Sequence, residues 1–243
     1  MDCSEENENK MNNETSSENL LQSINRLWNE SFSGLLSTHS IKFPGYPFGS
    51  LLPTCRDQKG NMLLLISHLA QHTRNLESDP RCSMTLSESG NGDVQQLARL
   101  TCLTKAEPLN STAASERYFR YYPTARRYHK ELNFNFYKLS VEQYYFIGGF
   151  GSARWFDGSR IEPTCPFSTS DEAEALYQLN AHNNRLLIQY LGKQGFPSNP
   201  AGVEAVGADP MGLDIRDGDN LQRVHAHQAC ERVDDFLQMI ESG

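Results

Sequence analysis

Residues 45–86 have the sequence GYPFGSLLPTCRDQKGNMLLLISHLAQHTRNLESDPRCSMTL, which predicts three strands and one short helix. Residues 62–66 are all apolar, as expected of a strand that is buried on both faces. A polar turn at residues 57–60 precedes this strand, and a basic helix over residues 71–78 follows it. Hydrogen-bond donors and cations placed where a buried strand meets a helix are typical of the sites at which small barrels bind anionic ligands.

The loop and helix after Ser67 carry the strongest candidates for ligand binding. His68, His72, Arg74 and Asn75 follow the buried strand in quick succession. Two interpretations of this group stay open. Either the side chains contact a bound ligand, or His72 and Asn75 cap the helix and form only local hydrogen bonds.

Composition excludes several classes of protein. The chain has 243 residues, of which 38% are hydrophobic, and its mean hydropathy is −0.58. The longest apolar run is about five residues, whereas a membrane-spanning helix needs roughly 20. The acidic N-terminal segment lacks the apolar stretch of a secretory signal, so we expect a cytoplasmic protein without a membrane partner. Six cysteines are scattered without a C-x-x-C pair, which predicts reduced thiols and no metal site.

The net charge of −8 is concentrated at the N-terminus. Residues 1–19 contain six acidic residues and one lysine, a net charge of −5, so the rest of the chain carries only −3. Basic residues gather at 117–130, where tyrosines lie between them. A solvated helix face, or arginine stems that cover aromatic rings, explains this pattern. A nucleic-acid-binding domain would be basic overall, so we expect no nucleic-acid partner.

Four segments follow from the patterning of the chain. Residues 1–16 are rich in Asn, Glu and Ser, which predicts a disordered acidic tail. Residues 17–157 begin with an amphipathic helix and continue as strands, which predicts a β-barrel domain. Residues 158–170 are expected to be a linker, and residues 171–243 an accessory domain in which the elements follow the order α-β-β-β-α.

Several short motifs are shared, in order and spacing, with one known family. They are GYPFGS at 45–50, SHLAQHTRNL at 67–76, DPR at 79–81, ARLT at 98–101, ERY at 116–118, YP at 122–123 and IGGFG at 147–151. Together they resemble the FMN-binding split barrels related to pyridoxamine-phosphate oxidase, in the branch of bacterial haem-utilisation proteins. The resemblance extends from about residue 17 to the C-terminus.

The resemblance implies an α+β fold. We therefore expect a six-stranded split β-barrel of the FMN-binding type, followed by the small accessory domain. It also implies a homodimer, because split barrels of this family bury their cofactor between two subunits.

The resemblance further implies a cofactor, either haem or FMN. Flavin-binding members hold the flavin phosphate with a cation and an amide in the loop after the buried strand. Here His72 stands where lysine is usual, and Asn75 is kept. Glycine at 149 would let a planar ring approach the backbone, although a bend in a barrel strand explains it equally well. The implied cofactor-binding residues are Ser50, Ser67, His68, His72, Arg74, Asn75, Arg99, Gly149, Arg154 and Trp155.

Bound haem would be ligated by a histidine, since neutral imidazole is a common ligand of haem iron. The candidates are His68, His72, His129, His182, His225 and His227, and no sequence rule selects among them. The family's His-Met-Asn-x-Asp-His signature is reduced here to Asn180.

Three functional hypotheses result. The leading one is a haem-utilisation-type protein that binds haem and assists its oxidative degradation. The alternatives are an FMN-binding oxidoreductase of the pyridoxamine-phosphate-oxidase-like class, and a binding or regulatory module without a cofactor. No catalytic residue is assigned.

Overall fold

The structure is a computed structural model that describes residues 20–90, 93–148, 153–160, 165, 167–196, 202–232 and 234–242. The predicted disordered tail, residues 1–16, and the candidate Gly149 lie outside the described residues. No helix of the described residues is both long enough and apolar enough to cross a membrane.

The first described helix, α1, spans residues 20–30 and packs against the barrel. Ile24, Leu27 and Trp28 are each at most 6% exposed, and they share a core with the barrel strands. The opposite face is polar, and on it Arg26 Nε donates to Glu30 Oε1 at 2.9 Å. The amphipathic helix predicted ahead of the barrel is therefore confirmed.

Eight strands form one antiparallel sheet. They are β1 (Ser33–His39), β2 (Pro47–Pro53), β3 (Cys55–Arg56), β4 (Met62–Ser67), β5 (Arg81–Ser87), β6 (Arg99–Pro108), β7 (Phe134–Ile147) and β8 (Ala153–Asp157). The hydrogen-bonded order is β2-β1-β5-β6-β7-β4-β3, and β8 pairs with β7 beyond β4.

The sheet closes on itself because one segment of chain pairs at both ends of this order. Pro47–Pro53 pairs with β1, whereas Cys55–Arg56, immediately after it, pairs with β4. Thr54 lies at the corner between them and is 3% exposed. Its Oγ1 donates to Leu63 O at 3.1 Å, and its N–H donates to Phe32 O at 2.9 Å. A bent strand shared by two neighbours in this way produces a barrel from a single sheet.

The predicted number of six strands is not confirmed. Six strands have at least six residues, and the two additional ones are the short β3 and β8. The corner at Thr54 separates β3 from β2. The 14-residue β7 is longer than its partner β4, so its second half pairs with β8 instead.

The burial of β4 on both faces follows from its neighbours. Met62, Leu64 and Ile66 point into the barrel core, which they share with α1. Leu63 and Leu65 point to the other side, where aromatic residues of the helices after β6 cover them. An apolar run with no polar alternation is therefore required at this position.

Three helices are inserted between barrel strands. They are α2 (Gln71–Ser78), α3 (Thr112–Tyr121) and α4 (Ala125–Glu131). Pro123 lies between α3 and α4, where a proline separates the two helices.

The C-terminal part contains a second, three-stranded antiparallel sheet with helices beside it. Its elements are α5 (Thr169–Tyr177), a π-helical turn (Gln178–His182), α6 (Asn184–Lys193), β9 (Val203–Asp209), β10 (Gly212–Asp217), β11 (Asn220–His225) and α7 (Asp234–Ser242). The strand order is β11-β10-β9. Leu187, Leu213 and Phe236 are fully buried in a core that is distinct from the barrel core.

Helix α3 connects the barrel to this second sheet. Tyr121 Oη donates to Asp214 Oδ2 at 2.5 Å, and Arg120 Nε donates to Val206 O at 3.0 Å. Gly207 of β9 permits this approach, because a Cβ atom there would overlap the Tyr121 hydroxyl. The two parts of the chain are thus held together by polar contacts around one helix.

Candidate functional site

Helix α2 is tied to the end of β4 by a short hydrogen bond. Thr73 Oγ1 donates to Ser67 O at 2.6 Å, so Ser67 takes part in the turn that starts the helix. His68 and Arg74 are exposed. His68 Nδ1 lies 3.1 Å from the backbone oxygen of Asn133, on the side of the helix start that faces β7.

His72 and Ser50 are brought together between α2 and β2. His72 Nδ1 lies 3.1 Å from Ser50 Oγ, while Nε2 is buried and has no hydrogen-bond partner among the described residues. Burial lowers the pKa of His72, so the imidazole is neutral near pH 7. A neutral imidazole is a weaker phosphate partner than the lysine expected in a flavin-binding member.

Asn75 is fully buried, and its amide is occupied by protein groups. Nδ2 donates to Thr38 Oγ1 at 2.9 Å. Oδ1 accepts from the Ile41 N–H at 3.2 Å and from Gln71 Nε2 at 2.9 Å. Only the bond to Gln71 is local to the helix. Asn75 therefore connects α2 to the end of β1 and to the loop at residues 40–46.

That loop borders a cavity of about 510 Å³ on the outer face of the barrel sheet. Ser37, Ser83 and Leu103 form its floor, and they are in register on β1, β5 and β6. The volume falls within the range of roughly 300–1,000 Å³ that small-molecule sites occupy. The cavity is therefore large enough for a cofactor-sized ligand.

The loop places an aromatic ring at the rim of this cavity. Gly45 has φ of 88°, a left-handed conformation that favours glycine, and it lines the cavity beside Tyr46. The Ser40 N–H donates to Tyr46 O at 3.1 Å, which closes the loop. The Tyr46 side chain is 71% exposed, so its face is available for stacking.

Charged and titratable groups surround the same cavity. His39, at the end of β1, and Arg81, at the start of β5, both line it, together with Glu142. Asp79 orients Arg81: Nε donates to Oδ1 at 2.9 Å and Nη2 donates to Oδ2 at 2.6 Å. These charge-assisted bonds hold the pKa of Asp79 well below its usual range. The cavity thus offers an imidazole ligand and a fixed cation.

Neither His39 nor Arg81 was among the residues predicted from the sequence. Two features of the sequence could have indicated them. His39 ends the strand SGLLSTH, in which buried and exposed residues alternate, and Arg81 is the arginine of the DPR motif. The histidines that were predicted lie elsewhere, outside the lining of this cavity: His68, His72, His129, His182, His225 and His227. Two of them are held by other groups, since His129 Nδ1 lies 2.8 Å from Phe134 O and His225 Nε2 lies 2.7 Å from Glu30 Oε1.

Three further candidates lie apart from α2. Arg99 is five residues from Thr104 on β6, roughly 17 Å along an extended strand. Arg99 pairs with Ile147, which pairs in turn with Ala153 next to Arg154, so both arginines lie at that far end of the sheet. Trp155 lies on the outer face against Tyr145, with ring centroids 4.7 Å apart. The candidate set is thus divided among separate places on the barrel.

The described residues contain no group of three or more His, Cys, Asp or Glu side chains arranged to hold a metal ion. The described cysteines are free thiols: Cys55, Cys82, Cys102, Cys165 and Cys230.

Comparison with known proteins places the chain among split barrels. The family described as CREG, beta-barrel, matches residues 22–160. Among curated proteins, the chloroplastic non-canonical haem oxygenase HOZ of Arabidopsis thaliana is 39% identical over 67 residues. This match covers 28% of the present chain and 21% of the relative, so the chain spans about a fifth of that protein's length.

Two solved structures extend the likeness over most of the chain. A protein of unknown function from Agrobacterium tumefaciens is 21% identical, with 93% of this chain and 95% of that chain covered and a TM-score of 0.75. A haem-binding protein from Mycobacterium smegmatis is 23% identical, with 89% and 93% covered and a TM-score of 0.52. At these identities the likenesses show a common fold.

Proposed function

The chain belongs to the CREG β-barrel family, and from this premise we propose that it binds haem in the cavity on the outer face of its barrel. The membership confirms the resemblance to split barrels that the sequence motifs indicate. Two relatives support haem as the ligand, since one is named a haem oxygenase and the other a haem-binding protein.

The observation that carries the proposal is the chemistry of the cavity wall. His39 is exposed at the end of β1 and supplies an imidazole, the usual protein ligand of haem iron. Arg81 supplies a cation for a propionate, and Tyr46 supplies a ring for stacking on the porphyrin. Haem would bring a redox-active iron, and its oxidative degradation would consume dioxygen and electrons from an external reductant.

Haemin titration followed by absorption spectroscopy tests this function. We expect the wild-type chain to develop a sharp Soret band that saturates at micromolar haemin. His39→Ala removes the proposed iron ligand, so the Soret maximum should shift and the affinity should fall at least about tenfold, or about 1.4 kcal/mol. His227→Ala replaces an exposed histidine outside this cavity and should bind haemin like the wild type.

The outcomes are separable. A wild-type protein without a Soret change would exclude haem binding. A normal Soret band in His39→Ala would retain haem binding but exclude His39 as the iron ligand. Dioxygen and ascorbate added to the haem complex would then show, by loss of the Soret band, whether the bound haem is degraded.

The alternative hypothesis is that the chain binds FMN beside α2. It would place the FMN phosphate near Ser50, His72 and Asn75, where the sequence resemblance puts it. The neutral His72 and the occupied amide of Asn75 make this end of the barrel a poor phosphate site. FMN added in place of haemin should therefore produce no saturable change in flavin fluorescence, and tight FMN binding would favour the oxidoreductase hypothesis instead.

We further propose that the chain is a homodimer and that the outer face of the barrel is the interface. One side chain from each of six strands lies in register across this face: Leu51, Leu35, Thr85, Thr101, Tyr145 and Trp155. Leu51, Leu35 and Trp155 are 75%, 45% and 59% exposed. The row is apolar or aromatic at both ends and has two threonines at its centre, and exposed apolar side chains grouped on one face are typical of an interaction site. A second copy is the occupant that the family resemblance implies, and the haem cavity borders the same face.

Leu51→Asp should convert the dimer to a monomer. The substitution puts a carboxylate at the most exposed apolar position of the face, where dimerisation would bury it without a partner. Sedimentation velocity measures the change in mass. Val94→Asp, at a 65% exposed position outside the sheet, is the matched control and should leave the dimer intact. A wild-type monomer, or a dimeric Leu51→Asp variant, would contradict this interface.

The division into domains is also retained as a proposal. Residues 17–157 would form the barrel domain and residues 171–243 the accessory domain, joined by a linker at 158–170. The separate core of the second sheet supports this division.

A further inference from the structure

A second cavity, of about 140 Å³, lies between the barrel and the second sheet. A single water molecule needs roughly 10–15 Å³ measured in this way, so the space suits several waters or one small organic molecule. Trp28 and Arg56 line it on the barrel side, and Ala208, Pro210 and Met211 line it on the side of the second sheet. Both parts of the chain contribute to the wall, which combines apolar groups with polar and charged ones.

Arg56 is the unusual group in this wall. Its Nη1 donates to Asn29 Oδ1 and its Nη2 donates to Asn29 O at 3.3 Å. It forms no ion pair with a carboxylate of the described residues. The Trp28 ring lies 6.0 Å from its Cζ atom. Burial lowers the pKa of Arg56, which reflects a cation removed from water without a counter-charge in contact.

The other arginines at the same interface have carboxylate partners. Arg117 and Arg120 share Glu172, and Arg223 contacts Asp209 and Asp214. Three carboxylates are therefore already committed to three cations, and Arg56 is additional. Asp57 also lines the cavity, but its carboxylate accepts hydrogen bonds from Lys59 and Asn61 within its own turn. Asp209 lines the cavity as well and is held by Arg223 Nη2 at 2.5 Å, so among the described residues Arg56 is the arginine of this wall that has no carboxylate in contact.

We propose that this cavity binds a short-chain monocarboxylate through Arg56. The planar guanidinium matches a carboxylate in geometry and charge, and a buried cation gains most from such a partner. The alkyl group of the ligand would contact Ala208, Pro210 and Met211, which form the apolar wall from the second sheet. Because the ligand touches both parts of the chain, its binding stabilises their association.

Thermal unfolding with sodium propionate, compared with sodium chloride at equal ionic strength, tests this site. We expect the midpoint temperature of unfolding of the wild-type protein to rise as propionate is added and to reach a plateau when the site is saturated. Arg56→Met keeps a side chain of similar length without the charge, and its midpoint should respond to propionate only as it does to chloride. Arg185→Met, an exposed arginine on α6, should respond like the wild type.

A second measurement does not depend on the stability of the Arg56 variant. The chain has two tryptophans, so Trp155→Phe leaves Trp28 as the one source of tryptophan emission. Trp28 is 3% exposed beside Arg56, and propionate should change its fluorescence in a saturable way that chloride does not reproduce. The site would be refuted by an unchanged Trp28 emission, or by an equal response to propionate in the wild type and Arg56→Met.

Discussion

Replacement of Glu172 by alanine is expected to lower the free energy of unfolding by about 3–5 kcal/mol, because it leaves buried cations without their partner. Glu172 is fully buried. Its Oε1 accepts from Arg117 Nη1 and, at 3.0 Å, from the Ala208 N–H. Its Oε2 accepts from Arg120 Nη2 at 2.8 Å. One carboxylate therefore satisfies two arginines of α3 and one backbone group of β9.

Equilibrium unfolding in urea measures this effect. Since Glu172 connects the barrel to the second sheet, its loss should also broaden the transition or divide it into two steps. Glu204→Ala is the matched control, because Glu204 pairs with Arg216 at the surface and is 54% exposed. Glu204→Ala should lower the free energy of unfolding by less than about 1 kcal/mol. Similar small losses in both variants would mean that the buried network contributes little to the association of the two sheets.

The buried network illustrates what local sequence patterns do not contain. Glu172 and Arg117 are 55 residues apart, and nothing near either residue indicates that they meet. The tyrosines and arginines at 117–130 were expected to form a solvated face or a packing surface. The packing interpretation is confirmed for Arg117 and Tyr121, which are 7% and 2% exposed. Their partners could be identified only after the second sheet was placed beside α3.

Periodicity predicted the barrel well because its signals are local. The apolar run at 62–66 is a strand buried on both faces, and the alternating residues of β5 match its burial pattern. The second helical region was less well predicted. The predicted order α-β-β-β-α has one helix before the strands, whereas two helices, α5 and α6, precede them with a π-helical turn between them at Gln178–His182. Asn180 explains the interruption, since its side chain exchanges two hydrogen bonds with the backbone of Ala205 at 2.8 and 2.9 Å.

The candidate site was only partly accessible to sequence reasoning. The α2 segment was recognised because its histidines, arginine and asparagine are adjacent in the chain. The cavity on the outer face is assembled from β1, β5, β6, β7 and the loop at 40–46, which are distant in sequence. His39 of β1 and Arg81 of β5 come together there because these two strands are neighbours in the sheet, although they are distant in the sequence. The position of Asn75 between the two places suggests that α2 supports the cavity.

Replacement of Asn75 by leucine tests this connection and should cost about 2–4 kcal/mol of stability. Leucine has a similar volume but takes away the acceptor of the Ile41 N–H and the donor to the Thr38 hydroxyl, which keeps only its own bond to Phe48 O, and each hydrogen-bond partner lost in a buried setting costs about 1–3 kcal/mol. The loop at 40–46 would then lose its anchor to α2. Under the proposed function, the affinity for haemin should fall at least about tenfold, because Gly45 and Tyr46 would no longer be held at the cavity.

Two controls separate positioning from folding in this experiment. Gln71→Leu removes one of the three hydrogen bonds of Asn75 from a partly exposed position, so it should change stability by less than about 1 kcal/mol and leave haemin binding intact. His39→Ala should weaken haemin binding with little loss of stability, since His39 is exposed. If Asn75→Leu were destabilised yet bound haemin normally, α2 would serve the fold alone, and the cavity would owe its shape to the strands beneath it.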